Sequence, residues 1–259
     1  IDCQNDLIRN TLYVGGQGNG YFNPYNNKVY ATMIYQDNVK VFEIDGIGDT
    51  IVKVLDSLGL PLAFRNKGGI HQVYIGSIFK DCIYAFDANS DSIIDSVMNV
   101  SITSSDQIFY YDSLDDRIYY PQSGGVKVID CQNNVVMDTI VLSFGVGCFF
   151  SEDNVWNPLS DRFYTYVYHS PFYPLVYIID CRTNTVIDST PYILEPSIMQ
   201  LNTTNDVVYV NDHWRSDILA IRDNLIGITE AKNIEINNNL FIYPTIGNKF
   251  IIRRKAEGE

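Results

Sequence analysis

The sequence predicts an all-β protein built from repeated four-stranded antiparallel units, and three observations carry that prediction. A tyrosine returns at a fixed pitch: Tyr30, Tyr74, Tyr119, Tyr164 and Tyr209 are separated by 44, 45, 45 and 45 residues. A motif returns with it. Val128-Ile129-Asp130-Cys131-Gln132-Asn133-Asn134-Val135-Val136-Met137-Asp138-Thr139 matches Ile178-Ile179-Asp180-Cys181-Arg182-Thr183-Asn184-Thr185-Val186-Ile187-Asp188-Ser189 nearly position for position. Third, short β-branched and aromatic runs are separated by Asn, Asp, Gly and Ser, and no segment shows a sustained helical period of apolar residues.

Each element of the unit follows from these repeats. Looser copies of the motif run from Ile1-Asp2 to Asn10-Thr11 and from Phe86-Asp87 to Asp95-Ser96. Upstream of each copy, polar turn residues lead into a β-former and the tyrosine, as in Asn27-Lys28-Val29-Tyr30, Asp116-Arg117-Ile118-Tyr119, Asp161-Arg162-Phe163-Tyr164 and Asp206-Val207-Val208-Tyr209, with His71-Gln72-Val73-Tyr74 in the remaining place. In the third unit the strands are expected near 106–111, 116–121, 125–131 and 135–141. Asn134, Asn184, Asp91 and Asp6 share one hairpin position, where Asn and Asp tolerate a left-handed backbone. Asp87, Asp130 and Asp180 precede that turn and are expected to brace it. Four-stranded units at this period cannot bury their apolar faces singly, and the architecture that stacks them is a β-propeller: five full repeats plus a partial one, with six blades as a possible closure.

The motif Val/Ile-Ile-Asp-x-x-x-Asn-x-Val-Ile-Asp-Thr/Ser resembles the YVTN-type β-propeller repeats of bacterial and archaeal surface and secreted proteins, over residues 1–230. The resemblance implies the propeller fold and a secreted or cell-surface location, and it brings no active site. Residues 231–239 form a polar, Asn-rich linker, and 240–259 have two readings. One is a sixth half-blade, since Leu240 to Ile252 aligns without a gap with Ile108 to Tyr120 and the strands of Ile1 to Leu12 would complete it. The other is a resemblance to the start of a type IX secretion sorting domain, whose Tyr-Pro-Asn-Pro motif is met by Tyr243 and Pro244 and departed from by Thr245 and Ile246; the linker favours this one. The opening Ile1-Asp2-Cys3 reads as the interior of a repeat, so residues upstream, including any signal peptide, are expected.

Composition narrows the functional classes. With 46% hydrophobic residues, 19 Tyr and 13 Phe, the chain has the apolar area of a folded protein. A net charge of −13 repels nucleic acid and anionic membrane surfaces, and the only basic cluster is Arg253, Arg254 and Lys255. No apolar run reaches the ~18 residues of a membrane span. Of five cysteines, Cys3, Cys131 and Cys181 occupy one place in the repeat. A disulfide needs Cα atoms about 4.4–6.8 Å apart, so cysteines on different blades read as small buried apolar residues.

No catalytic constellation emerges. His71, His169 and His213 lack metal-ligand spacing, and there is no Gly-x-Ser-x-Gly elbow, P-loop or dinucleotide fingerprint. Gly15-Gly16-Gln17-Gly18-Asn19-Gly20 leads into a strand and reads as an inter-blade loop. Catalytic residues, a metal and a cofactor are therefore not expected. One irregularity stands out: the step from Asp130 to Asp180 is 50 residues against 43 from Asp87 to Asp130, and the excess falls in a loop between Tyr166 and Pro174. With the corresponding segment of the next unit it offers an aromatic and polar ledge of Tyr168, His169, Phe172, Tyr173, His213, Trp214 and Arg215. Such residues suit a protein, peptide or glycan ligand. The reading is a non-enzymatic exported propeller acting as a binding or scaffold module; the alternative is a propeller enzyme, lyase or lactonase in type, with its site in the central channel.

Overall fold

The computed structural model describes residues 11–13, 20–35, 38–56, 58–77, 79–100, 102, 109–122, 124–142, 149–150, 154–169, 172–190, 196–212, 217–222, 240–244 and 250–254. These residues contain strands and turns and no helix, hence no helix long and apolar enough to cross a membrane. Asp6, Cys3, the glycine-rich segment 15–19 and the linker 231–239 lie outside the described residues.

The strands form five sheets, one per repeat. Blade I is β1 (Gly20–Asn23), β2 (Lys28–Tyr35), β3 (Asn38–Asp45) and β4 (Thr50–Asp56), paired in chain order. Blade II is β5 (Gly59–Lys67), β6 (Ile70–Ser77), β7 (Cys82–Asp87) and β8 (Ile93–Met98), and blade III is β9 (Tyr110–Asp112), β10 (Arg117–Gln122), β11 (Gly125–Asp130) and β12 (Val135–Val141). The last three strands of blade III fall within about two residues of their expected bounds. In blade IV the first strand is split into β13 (Phe149–Phe150) and β14 (Val155–Asn157), both pairing with β15 (Arg162–His169), followed by β16 (Phe172–Asp180) and β17 (Thr185–Ser189). Blade V has β18 (Pro196–Asn202), β19 (Val207–Asp212) and β20 (Asp217–Arg222), then the hairpin of β21 (Leu240–Pro244) and β22 (Phe250–Arg254), with β22 beside β20.

The period-breaking insertion is a strand extension, not the expected loop. Val167 pairs with Leu175 and His169 with Phe172 across a bulge, which carries β15 and β16 out to the tip of their hairpin. β-Branched and aromatic residues such as Tyr166, Val167 and Phe172 favour this pleated continuation over an irregular loop.

Turn chemistry explains the polar repeats. Asp49, Asp91, Asn134 and Asn184 have φ of 50°, 53°, 54° and 52° in the hairpins joining third and fourth strands. Asn27, Asp116, Asp161 and Asp206 have φ of 56°, 62°, 54° and 54° in the hairpins joining first and second strands. Asn and Asp accept this left-handed backbone more readily than other non-glycine residues. The bracing aspartates act as expected: Asp87 Oδ1 accepts from the Asn89 and Ser90 amides at 3.0 and 2.7 Å, Asp130 Oδ1 from Gln132 at 2.8 Å, and Asp180 Oδ1 from Arg182 at 2.9 Å.

The chain groups into two compact units, Ile1–Phe109 with Asp130–Val136, and Tyr110–Ile129 with Met137–Glu259. In the first, Tyr30 and Val41 of blade I pack on Val73, Ile75, Phe86 and Ala88 of blade II. In the second, Tyr119, Val126 and Val128 of blade III pack on Phe163, Tyr177 and Ile179 of blade IV. Across that interface the Tyr119 and Phe163 rings stack with centroids 5.4 Å apart. Blade IV in turn buries Tyr164, Val176 and Ile178 against Val208, Val210 and Leu219 of blade V.

Candidate functional site

The recurrent tyrosine is an inter-blade clasp. Tyr119 Oη of β10 donates to the Cys181 carbonyl and the Asn184 side-chain oxygen, both at 3.0 Å, in the β16–β17 hairpin of the next blade. Tyr74 of β6 does the same one blade earlier, 2.7 Å from Asn134 Oδ1 and 3.4 Å from the Cys131 carbonyl. Burial pushes the Tyr119 hydroxyl far above the ordinary tyrosine range, which keeps it a donor. In blade I the work passes to neighbours of Tyr30: Asn26 Nδ2 donates to the Ala88 carbonyl at 2.9 Å, and Lys28 Nζ reaches both Asp91 oxygens at 3.2 and 3.1 Å.

The cysteine position is a small-residue position. Gly46, Ala88 and Cys181 each donate a backbone N–H to a carbonyl at or beside the start of the second strand, at Asn27, His71 and Asp161, over 2.9, 2.9 and 3.0 Å. A Cβ built on Gly46 meets the Asn27 carbonyl oxygen at 2.6 Å, so in blade I even alanine would force the backbone to shift, while Ala88 and Cys181 occupy the place in blades II and IV. Cys82, Cys131 and Cys181 are buried and in no disulfide, in keeping with the reading of Cys131 and Cys181 as small apolar residues; Cys3 and Cys148 lie outside the described residues.

At the junction of blades III and IV this position meets two acids. An oxygen of Asp112, an oxygen of Asp161 and Cys181 Sγ lie within 4.8 Å of one another, and all three residues are buried. Asp112 ends β9 and is 0% exposed. Its Oδ1 accepts from the Leu114 and Asp115 amides at 2.8 and 3.3 Å, while its Oδ2 is buried without a hydrogen-bond donor. Asp161 closes the β14–β15 turn; its Oδ1 accepts weakly from Trp156 Nε1 at 3.5 Å, and Arg182 Nε lies 3.6 Å from its Oδ2. Burial, opposed by the Leu114 amide and reinforced by Asp161's charge, pushes the Asp112 carboxyl up to about 6. Burial likewise raises Asp161 and lifts the Cys181 thiol well above its ordinary value.

The same position in the next blade pair is satisfied differently. Asn157 and Asp206 each stand 45 residues beyond Asp112 and Asp161. There the Asn157 amide donates to Asp206 Oδ1 at 2.5 Å while its Oδ1 accepts from Leu159 N at 3.0 Å. Asn23 and Asn202 cap their turns in the same way, at 3.1 and 3.0 Å. Asp112 is thus the one acid at a position that holds asparagine in three of the other repeats and Lys67 in the fourth, a signal present in the sequence but visible only once the repeats are aligned at this position.

The ledge residues are reached in part. Tyr168 and His169 end β15, Phe172 and Tyr173 begin β16, and the register sets Phe149 opposite Tyr168 and His169 opposite Phe172. The backbone therefore gathers these four at one hairpin end. His213, Trp214 and Arg215 lie outside the described residues.

Five antiparallel sheets, one per repeat and with no helix among the described residues, define a β-propeller fold. Solved structures agree. The chain is similar to hydrazine synthase of Kuenenia stuttgartiensis, at 13% identity and a TM-score of 0.56 over 84% of this chain and 59% of that one. It is also similar to the β-propeller domain of Cps50 (Swd1) from Myceliophteria thermophila, at 14% identity and a TM-score of 0.61 over 85% and 70% of the two chains. A chain of the mitotic checkpoint complex matches at 10% identity and a TM-score of 0.60 over 91% and 75%. At these identities the likeness carries the fold alone. No family model and no curated protein matches the chain.

Proposed function

We propose that this chain is a non-enzymatic propeller of the YVTN type that acts as a binding or scaffold module at the cell surface or beyond it. The observation that carries this reading is how its repeated polar residues are used. Asp45, Asp87, Asp130 and Asp180 accept turn amides, and Tyr74 and Tyr119 join blades. The residue types a channel enzyme would recruit for acid–base work are, in these repeats, holding the scaffold. The sequence motif supports the exported location, which fractionation of the native host with an antibody to the chain tests directly.

The recognition surface in this reading is the extended β15–β16 hairpin with Trp214 and its neighbours. Screening the full chain against glycan and peptide arrays, then repeating with Trp214→Ala and His169→Ala, is the test. A ligand lost in both variants supports the ledge; binding unchanged in both removes it. Hydrazine synthase shows by its name that this fold also occurs in an enzyme, and turnover of a lactone or uronic-acid panel by the chain would overturn the non-enzymatic reading.

A further inference from the structure

We propose that Asp112, Asp161 and Cys181 form a binding site for one thiophilic divalent cation of the zinc class, at the junction of blades III and IV. Three facts converge on it. The ligand atoms already lie within 4.8 Å of one another, against the separations of about 3–4 Å that a tetrahedral ion with ~2.0–2.3 Å bonds imposes, so small side-chain movements close the set. Asp112 is 0% exposed and its Oδ2 faces no donor. A buried carboxylate oxygen left in that state costs free energy until a proton or a cation meets it. Finally, the donor set is one sulfur and two carboxylate oxygens, which suits zinc better than magnesium or calcium, whose ligands are oxygens alone.

Comparison within the chain separates this place from the ordinary pattern. Where Asn157 stands, an amide donates to Asp206 and no cation is required. At Cys131, the residue 45 positions before Asp112 is Lys67, so the equivalent cysteine has no such acid pair. Among the described residues, the cations near the cluster leave Asp112 Oδ2 unmet: Arg182 Nε reaches Asp161 Oδ2 at 3.6 Å from a largely exposed side chain, and Arg117 is committed elsewhere. Arg117 Nη1 donates to the Cys181 carbonyl at 2.8 Å and pairs with Asp115 at 3.2 Å, and Arg182 is 62% exposed. On binding, Cys181 releases its proton to solvent and the thiolate becomes the third ligand, leaving a fourth position for water.

The test uses the full chain, stripped with a chelator and titrated with Zn²⁺ by calorimetry and with Co²⁺ by absorbance. One equivalent of each metal is expected, with a thiolate-to-cobalt charge-transfer band in the near ultraviolet. Cys181→Ala should abolish the band, Cys131→Ala should leave it, and Asp112→Asn should weaken binding by more than roughly 100-fold, beyond what loss of an outer-sphere contact costs. Asp112→Asn is expected to fold, since asparagine occupies this position at Asn23, Asn157 and Asn202, and circular dichroism checks that it does. A chain that binds neither metal, or whose cobalt band survives both Asp112→Asn and Cys181→Ala, overturns the site.

Discussion

The first and third blade junctions both bring two acids together, and they treat the charge in opposite ways. Between blades I and II, Glu43 and Asp91 face one another with the Lys28 ammonium between them, paired to Glu43 and 3.1 Å from Asp91. Between blades III and IV, Asp112 and Asp161 meet with a neutral thiol beside them, and among the described residues the cation paired with them is the largely exposed Arg182 guanidinium, 3.6 Å from Asp161. Burial and the partner acid raise the carboxyl in both places: Glu43 through burial first and Asp91's charge, Asp112 through burial first and Asp161's charge. What differs is where the counter-charge stands: Lys28, 20% exposed, lies between both acids of the first junction, whereas Arg182, 62% exposed, reaches only Asp161 at the second.

Removing the built-in cation gives the largest expected effect. Lys28→Met leaves Glu43, 1% exposed, and Asp91 without their shared partner, and breaking a buried pair from one side costs about 3–5 kcal/mol. Urea denaturation of the full chain measures it; a loss below about 1 kcal/mol would dissolve the contrast between the junctions. The pH dependence has two limbs. Burial alone would lower the Lys28 ammonium, but its bonds to Glu43 and Asp91 more than offset this and leave it raised. Its contribution is therefore fully present below the ordinary lysine range, about 10.4, and is lost as pH rises through the higher folded value. Glu43 is an acid raised by burial, so the folded state is progressively disfavoured as pH climbs from the ordinary glutamate range to that raised value. Glu43→Gln should flatten this acid limb and leave the alkaline one, where Asp91 still pairs with Lys28.

A smaller effect of opposite sign is expected at the other junction. In chelator-treated protein at neutral pH, Asp112→Asn replaces a like-charge contact with the amide donor that Asn157 presents to Asp206. One hydrogen bond gained and one unmet oxygen removed predict a stabilisation of about 1–2 kcal/mol. Thermal melts of the metal-free chain read it directly. A destabilised variant would show that the two junctions are not equivalent despite their shared 45-residue offset.

What was legible in the sequence divides along the same line. The strands, the left-handed turns at Asn134 and Asn184 and the braces at Asp130 and Asp180 are local consequences of a repeated pattern, so the period exposes them. The clasp was half legible: the tyrosine pitch was plain, but a sequence does not say that Tyr119 reaches Cys181 and Asn184 one blade on. The excess near Tyr166 read as a loop because the length of a unit was visible and the register of its hairpin was not. Asp112, Asp161 and Cys181 come from two blades at spacings that match no metal motif. Only the stacking of the β9–β10 turn of blade III on the β14–β15 turn and β16–β17 hairpin of blade IV brings them together.

The clasp itself supplies the finest comparison, because Asn184 serves it in two ways. Its backbone sits at φ 52°, and its side chain accepts the Tyr119 hydroxyl at 3.0 Å. Tyr119→Phe removes the donor and leaves two acceptors in the hairpin with less to bond, a loss of about 1 kcal/mol. Asn184→Gly removes the same acceptor but keeps the left-handed backbone free of strain, so its cost should match Tyr119→Phe to within a few tenths of a kcal/mol, an expectation set by one neutral hydrogen bond. Asn184→Ala loses the bond and also carries a Cβ into left-handed space, which adds about 1–2 kcal/mol. Denaturation midpoints for the three variants should therefore fall in two groups, with Ala alone below. If Gly and Ala were equally costly, the asparagine would be present for Tyr119 alone, and the recurrence of Asn and Asp at this turn would need an explanation other than backbone handedness.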